Sequence, residues 1–231
     1  VQAMDCGEEL FSIRKDNEMA KKCGDAAVRL RTYRPEPNHS KQAAALMTLS
    51  GLMDPEKANN EVLSIGGSKN FSTFYGYYML KAMAAAGDYT NALNRIREFW
   101  GAMLDLGATS FWEDFNIEWI KNAARIDEIV PKGKVDVHKS YGNYCYKGYR
   151  HSFCHGWASG PTSYLSEYAL GVKVIEPGCK VVKIEPHLGD LQWAEGTFPT
   201  PYGIIKIHHE QRNDGSVKST IKAPKGVKVI K

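Results

Sequence analysis

The spacing of apolar residues changes at about Gly171 in this 231-residue chain. Before that point, apolar residues recur every three or four positions, as they do on one face of a helix. After it, short apolar runs alternate with polar residues and are separated by turn residues, as in antiparallel strands. The pattern predicts an α+β fold, with helical hairpins in residues 1–171 and an antiparallel β-sandwich in residues 172–231.

Several helices are predicted from apolar spacing and from residues that start or stop helices. The longest pattern is DYTNALNRIREFWGAMLDL, at residues 88–106. Ser40 precedes KQAAALMTLSGL as an N-cap, and the pair Asp54-Pro55 is typical of a helix start. The short connections between these helices favour antiparallel neighbours.

Two further helices are predicted, one on each side of an irregular region. FSTFYGYYMLKAMAAAG should open at Asn70 or Ser72 and end at Gly87, and SGPTSYLSEYALG should end at Gly171. Between residues 124 and 151 no period persists, so YGNYCYKGYR is predicted to be part of a long loop.

Short strands are predicted after Gly171. The runs are VVKIEP, LQWAEGTF, GIIKIHHEQ, SVKSTIKA and VKVIK. Asp214-Gly215 lies between two of them and is typical of a hairpin turn, because glycine readily takes a positive φ.

Composition argues against two classes of partner. The net charge is +4, but lysines are spread through the chain and interleaved with acidic residues, whereas nucleic-acid-binding proteins cluster them. The apolar runs end well short of the ~20 residues that a membrane span needs. We expect no nucleic-acid partner and no membrane insertion.

Cysteine usage and known motifs indicate neither a metal nor a cofactor. The five cysteines have no ligand spacing, and free thiols are favoured over a Cys145–Cys154 pair. Phosphate-binding, dinucleotide, serine-hydrolase and zinc-protease motifs are absent. The first residues, VQAMDCGEEL, have neither the basic start nor the apolar core of a signal peptide.

Glu113, in GATSFWEDF, is the first candidate for chemistry. Apolar neighbours and the adjacent Asp114 disfavour the charged form of a carboxyl group and suit an acid or base. The alternative is a glutamate in the first turn of a helix that stabilises the helix dipole and faces solvent.

RHSFCHGWASGPT contains a second candidate cluster, His155 and Trp157. A histidine there can hydrogen-bond a hydroxyl group, and an indole face can pack on the apolar side of a sugar. The alternative, which the residues alone favour, is a buried histidine bonded to the backbone beside a core tryptophan.

Three ordered blocks of this sequence resemble the C-terminal part of the bacterial α-L-rhamnosidases. They are GDYTNALNRIREFWGAMLDLGATSFWEDF, SFCHGWASGPTSYLSEYALGVKVIEPG and KIEPHLGDLQWAEGTFPTPYG. The resemblance extends from about Asn70 to Lys231. It implies a six-hairpin (α/α) barrel, followed by a β-sandwich, and inverting hydrolysis of terminal α-L-rhamnosides.

The resemblance also implies roles for three residues. Glu113 falls on the family's general base, and His155 falls on a histidine that reaches the rhamnose hydroxyls. Trp112 is expected by position to form a wall of the sugar pocket. A rhamnose-containing glycan or glycoside is the expected partner.

One part of the family pattern is missing from this sequence. Inverting hydrolysis needs a second carboxyl group, the general acid, roughly 6.5–9.5 Å from the base. In the family this acid belongs to an Asp- and Arg-containing block in the first half of the barrel, and no such block occurs here. We therefore expect a fragment of the barrel with the β-sandwich, inactive alone and prone to self-association through exposed barrel faces.

Two alternatives remain open at this stage. One is a non-catalytic carbohydrate-binding or scaffold module in which Trp112, Trp157 and Trp193 stack on sugars. The other is a six-hairpin glycosidase with a different sugar specificity. The family resemblance implies a periplasmic or extracellular location.

Overall fold

The helices of the chain lie before the strands, as the change of period predicts. A computed structural model describes residues 1–139 and 148–231. The helices are α1 (Gln2–Ile13), α2 (Asn17–Arg31), α3 (Lys41–Leu49), α4 (Pro55–Ala58), α5 (Gly76–Ala85), α6 (Tyr89–Arg95), α7 (Gly101–Asp105) and α8 (Gly160–Tyr164). Wider π-helical turns extend α4 over Asn59–Leu63, join α6 to α7 over Ile96–Trp100 and extend α8 over Leu165–Ala169. Short 3₁₀ helices occur at Ile117–Lys121, Gly156–Ala158 and Pro177–Cys179.

Side-chain caps set several of the helix boundaries. The Ser40 hydroxyl accepts a hydrogen bond from the backbone N–H of Ala43 at 3.2 Å. The Asp54 carboxylate accepts one from the backbone N–H of Lys57 at 2.9 Å. Gly87 follows α5 with φ +76°, which ends the helix. These predicted boundaries are confirmed, as is the helix predicted over residues 88–106.

Helix α5 begins later than the sequence pattern predicts. Asn70 has φ +63°, which a right-handed helix cannot contain, and the Ser72 hydroxyl caps only a turn at Tyr75. The helix starts at Gly76, where a Cβ atom would lie 2.6 Å from the ring of Trp100. Glycine therefore allows α5 to pack directly against that indole.

The predicted loop before α8 is only partly described. Residues 124–139 and 148–151 contain no helix or strand beyond an isolated bridge between Ala123 and Val135. Most of YGNYCYKGYR, including Cys145, lies outside the described residues. The Cys145–Cys154 pair therefore stays untested, and Cys154 forms no disulfide with another described residue.

The strands form two small sheets. They are β1 (Val172–Val174), β2 (Val181–Ile184), β3 (Trp193–Thr200), β4 (Gly203–Gln211), β5 (Val217–Lys222) and β6 (Lys228–Ile230). The strand orders are β1-β2-β6 and β3-β4-β5, and the pairs are antiparallel except for β2–β6, which is parallel. Each run predicted as a strand contains one. Strand β1 was not predicted because three residues are too few to show alternation.

Apolar side chains from both sheets meet in one buried cluster. Val172, Val182 and Ile184 come from the first sheet, and Ile205 and Ile207 come from β4. Gly215 has φ +82° in the turn between β4 and β5, which confirms the predicted Asp-Gly hairpin.

Two contacts fix the sheets to the helices. The guanidinium group of Arg97 donates two hydrogen bonds to the Asp190 carboxylate, at 2.9 and 3.0 Å. The imidazole of His187 stacks on the ring of Tyr89, with centroids 3.9 Å apart. A bidentate ion pair and a ring stack both restrict orientation, so the two parts are held at a defined angle.

The first two helices leave apolar side chains exposed. No residue of α1 is buried, and Leu10 and Ile13 on α1 are exposed together with Val28 and Leu30 on α2. Across residues 1–139 and 148–231, none of the helices has both the length and the apolar character to cross a bilayer.

Lys41 is a buried cation at the start of α3. Its ammonium group donates a hydrogen bond to the carbonyl of Gly67 at 2.5 Å and lies 5.2 Å from the ring centre of Phe71. Burial, assisted by the nearby Arg95 guanidinium, lowers the pKa of Lys41 from 10.5 to about 8.

The lowered pKa of Lys41 makes stability depend on pH. Between pH 8 and 10.5 the unfolded chain keeps the Lys41 proton that the folded chain has lost. Since the unfolded state then binds more protons, the free energy of unfolding should rise with pH, by up to about 3 kcal/mol over that window. Urea unfolding at intervals between pH 7 and 10 measures the rise.

Lys41→Met should remove this rise, whereas Lys69→Met, at an exposed lysine, should keep it. Burial raises the pKa of Tyr77, Tyr164 and Tyr168, and their opposing effect sets in as the pH approaches the ordinary tyrosine pKa of 10. Equal pH slopes in the wild type and Lys41→Met would contradict the assignment.

Candidate functional site

Two segments that are distant in sequence lie side by side and form the candidate site. The backbone N–H of Glu113 donates to the carbonyl of Ser152 at 2.8 Å, and the N–H of His155 donates to the carbonyl of Phe111 at 2.8 Å. These bonds bring the Glu113 block and the His155 block into contact.

The Glu113 side chain is held between these segments. One carboxylate oxygen accepts a hydrogen bond from the backbone N–H of Ser152 at 3.1 Å, and the other lies 3.8 Å from Nδ1 of His155. The side chain is 17% exposed. Glu113 lies outside any helix, so the alternative of a helix-start glutamate facing solvent is wrong.

The backbone of Glu113 is fixed from a third direction. Its carbonyl accepts a hydrogen bond from the Thr73 hydroxyl at 2.5 Å and another from the Trp157 indole N–H at 2.7 Å. Thr73 belongs to the turn before α5, and Trp157 belongs to the 3₁₀ helix before α8. Three parts of the chain therefore determine where the carboxylate points.

Trp112 and Trp157 differ from their predicted environments. Trp112 is 0% exposed and packs edge-on against Phe115 and Phe153, so its indole has no accessible face in this structure. Trp157 is 41% exposed, which rules out the core alternative. Its ring lies 4.3 Å from that of His155, centre to centre.

Exposed aromatic rings line one side of Glu113. Phe74 lies 5.7 Å from Trp157 and 5.0 Å from Tyr75, and all three are exposed. We call Phe74, Tyr75 and Trp157 the aromatic rim. A partly exposed aromatic surface beside a carboxylate can pack on the apolar face of a ligand while the carboxylate bonds its polar groups.

His151, and not His155, is the buried histidine of the second block. Its Nε2 accepts a hydrogen bond from the backbone N–H of Asp114 at 3.0 Å, so that nitrogen carries no proton. Burial lowers the pKa of His151 and raises the pKa of Asp114, which favours the neutral form of both. His155 has a 34% exposed side chain and can reach a ligand.

The sequence pattern did not indicate Thr73 or Phe74 as part of the site. Both lie in a run predicted to be helical, where their side chains would be assigned to a helix face. A signal was nevertheless present: Asn70 and Ser72 are turn residues, and a run that begins with them can start as a loop.

Residues 171–230 match the family model described as the bacterial alpha-L-rhamnosidase C-terminal domain. The chain resembles the C-terminal part of a bacterial α-L-rhamnosidase. This match confirms the resemblance found in the sequence blocks. No curated protein sequence matches the chain significantly.

Solved structures of α-L-rhamnosidases have a similar fold. The enzyme from Aspergillus terreus has a TM-score of 0.77 and 18% identity over 99% of this chain and 26% of its own. The GH78 family rhamnosidase of Bacillus sp. GL1 has a TM-score of 0.71 and 24% identity over 98% of this chain and 24% of its own. The Streptomyces avermitilis α-L-rhamnosidase, complexed with L-rhamnose, has a TM-score of 0.68 and 19% identity over 91% and 20%.

These similarities show that the chain has the fold of the matching part of these rhamnosidases. The chain spans about a quarter or less of the length of each of these three rhamnosidases.

The two donors to the Glu113 carbonyl should be energetically coupled. After Thr73→Val or Trp157→Phe alone, the carbonyl keeps one of its two donors, and the free energy of unfolding should fall by about 1 kcal/mol. The double variant leaves the carbonyl without a donor. Its loss of unfolding free energy should exceed the sum of the two single losses by about 1 kcal/mol. Urea unfolding of the four proteins measures this coupling.

Thr73→Val combined with Trp193→Phe is the matched control, because Trp193 lies on strand β3 and has no contact with Glu113 among the described residues. That pair should be additive. Additive energies for Thr73→Val with Trp157→Phe would show that the shared carbonyl does not couple them.

Proposed function

We propose that this chain supplies part of the active site of an inverting α-L-rhamnosidase, with Glu113 as the general base. The substrate of the intact protein is a terminal α-L-rhamnoside in a glycan or glycoside. The family match of residues 171–230 and the fold shared with α-L-rhamnosidases support this proposal.

The observation that carries the proposal is the environment of the Glu113 carboxylate. It is mostly shielded from solvent, oriented by the Ser152 N–H and bordered by the half-exposed His155. A carboxylate in such a position can take a proton from a water molecule. The water oxygen then bonds to the anomeric carbon as the bond to the leaving oxygen breaks on the opposite face, and an acid protonates that oxygen.

His155 and the aromatic rim have the chemistry for sugar binding. The half-exposed imidazole of His155 can bond a rhamnose hydroxyl. Trp157 and Phe74 offer apolar surface for the ring and for its methyl group. Trp112, which the resemblance assigns to the pocket wall, is fully buried against Phe115 and Phe153.

The general acid of this mechanism comes from outside the chain. Asp114 adjoins Glu113, but its carboxylate accepts the N–H of Phe115 and its own N–H is bonded to His151, so we assign it a structural role. The chain corresponds to at most about a quarter of the rhamnosidases it resembles. We infer that it is inactive alone.

We propose that helices outside this chain cover the exposed face of α1 and α2. We propose that residues 1–171 form part of a six-hairpin (α/α) barrel and that residues 172–231 form a β-sandwich. In the intact barrel other helices would cover Leu10, Ile13 and Val28, and in the isolated chain these residues would promote self-association. The family resemblance supports a periplasmic or extracellular location.

Glu113→Gln in the intact protein should abolish most turnover while leaving substrate binding intact. The amide cannot accept the proton of water, so kcat on an aryl α-L-rhamnoside should fall about 10²–10⁴-fold with KM nearly unchanged. Proton NMR at early times should show β-L-rhamnose as the first product of the wild type.

Glu118→Gln is the matched control, since Glu118 is an exposed glutamate paired with Lys121. It should keep wild-type kinetics. Retention of more than about a tenth of kcat by Glu113→Gln would refute the base assignment. Hydrolysis by the 231-residue chain alone would refute the proposal that the acid lies elsewhere.

His155→Ala should weaken the binding of L-rhamnose to the intact protein. Loss of one hydroxyl contact should weaken the binding free energy of L-rhamnose by roughly 1–3 kcal/mol. Calorimetry or competitive inhibition measures this change. His39→Ala, at an exposed histidine before α3, should bind normally. Lower stability of His155→Ala with unchanged affinity would make His155 a structural residue.

A further inference from the structure

The outer face of the β3-β4-β5 sheet carries a polar surface that the Glu113 site does not use. Alternate residues of these strands point away from the core formed by Ile205 and Ile207. They line a shallow depression of about 620 Å³. Residues opposite each other on paired strands share a face, so three rows of side chains cross it. They are the Trp193 row (Trp193, Glu210 and Lys218), the middle row (Glu195, His208 and Thr220) and the Lys206 row (Thr197, Lys206 and Lys222).

Trp193 lies at one end of this depression. It is 62% exposed, and its ring is inclined by only 19° to that of His208, with centroids 6.4 Å apart. The exposed indole lies outside the apolar cluster of the sheets. Such a ring is suited to stacking against the C–H face of a sugar.

The carboxylates of the Trp193 row and of the middle row already have partners. His208 bonds Glu195 at 2.9 Å and Glu210 at 3.2 Å, and Lys218 lies 3.7 Å from Glu210. The hydrogen bond to Glu210, followed by that to Glu195, raises the pKa of His208. Glu195 and Glu210 therefore each have a hydrogen-bonded partner, and Glu210 also lies beside the Lys218 ammonium group.

The row at the far end has an uncompensated positive charge. Lys206 on β4 and Lys222 on β5 are directly opposite each other. Within the described residues neither ammonium group pairs with a carboxylate. Like charges directly opposite on neighbouring strands are destabilising, and an anion bound between them would relieve that repulsion.

We propose that this face binds an acidic oligosaccharide, with one sugar ring on Trp193 and a uronate carboxylate between Lys206 and Lys222. The Trp193 row and the Lys206 row are four residues apart along the strands, or about 13 Å, so the ligand must extend over more than one ring. The surface is separate from Glu113 and does not depend on its proposed role.

Calorimetry with the 231-residue chain tests the proposal. The probe is tetragalacturonate, compared with its fully methyl-esterified form and with an oligothymidylate of matched charge. The acid form should bind about tenfold more tightly than the methyl ester, because the ester cannot form ion pairs with the lysines. The oligothymidylate should bind at least about tenfold more weakly than the acid form. Its charges are phosphodiesters, and it has no sugar ring that carries a carboxylate.

Substitutions separate the two contacts. Trp193→Ala should weaken the binding of both sugar forms about tenfold. Lys206→Gln and Lys222→Gln should each weaken binding of the acid form alone. Lys218→Gln removes the same charge from the same face but from a lysine that has a partner, and it should have little effect.

Several results would overturn the proposal. They are no binding of tetragalacturonate, affinity unchanged by Trp193→Ala, equal affinity for acid and ester, and equal affinity for the oligothymidylate. Glu113→Gln should not alter this binding. Failure of the sheet surface and failure of the proposed base are therefore distinguishable.

Discussion

The backbone hydrogen bonds between residues 111–113 and residues 152–155 determine where Glu113 lies. They hold the glutamate outside a helix, so that its side chain meets the Ser152 N–H and its carbonyl meets Thr73 and Trp157. A carboxylate constrained from several sides loses little freedom when it acts on a ligand, and that preorganisation is what a general base requires.

Local chemistry made much of the helical part predictable. Ser40 and Asp54 cap helices through their own side chains, and Gly87 ends one, so neighbouring residues suffice to identify these boundaries. The two candidate blocks were noted in the sequence, but the residues alone left their alternatives open, and the roles assigned to Glu113 and His155 came from the family resemblance. By contrast, the burial of Trp112 and the exposure of Trp157 depend on tertiary packing, which spacing alone does not specify.

The β3-β4-β5 sheet has an apolar inner face and a polar outer face. The inner face closes an apolar cluster, and the outer face keeps a tryptophan and two lysines in solvent. Period-2 alternation predicted which residues share a face. It could not predict that the outer face would leave positive charge unpaired, because that depends on which strands are neighbours.

The absent side chain of Gly76 has an effect that reaches the site. The Trp100 ring occupies the space beside Gly76, and its indole N–H donates to the carbonyl of Ala158 at 3.0 Å. Ala158 directly follows Trp157, so the tight helix packing helps to position Trp157, which bonds the Glu113 carbonyl. A single added methyl group at Gly76 would push the Trp100 ring away from α5 and, through its hydrogen bond to Ala158, would shift the segment that carries Trp157.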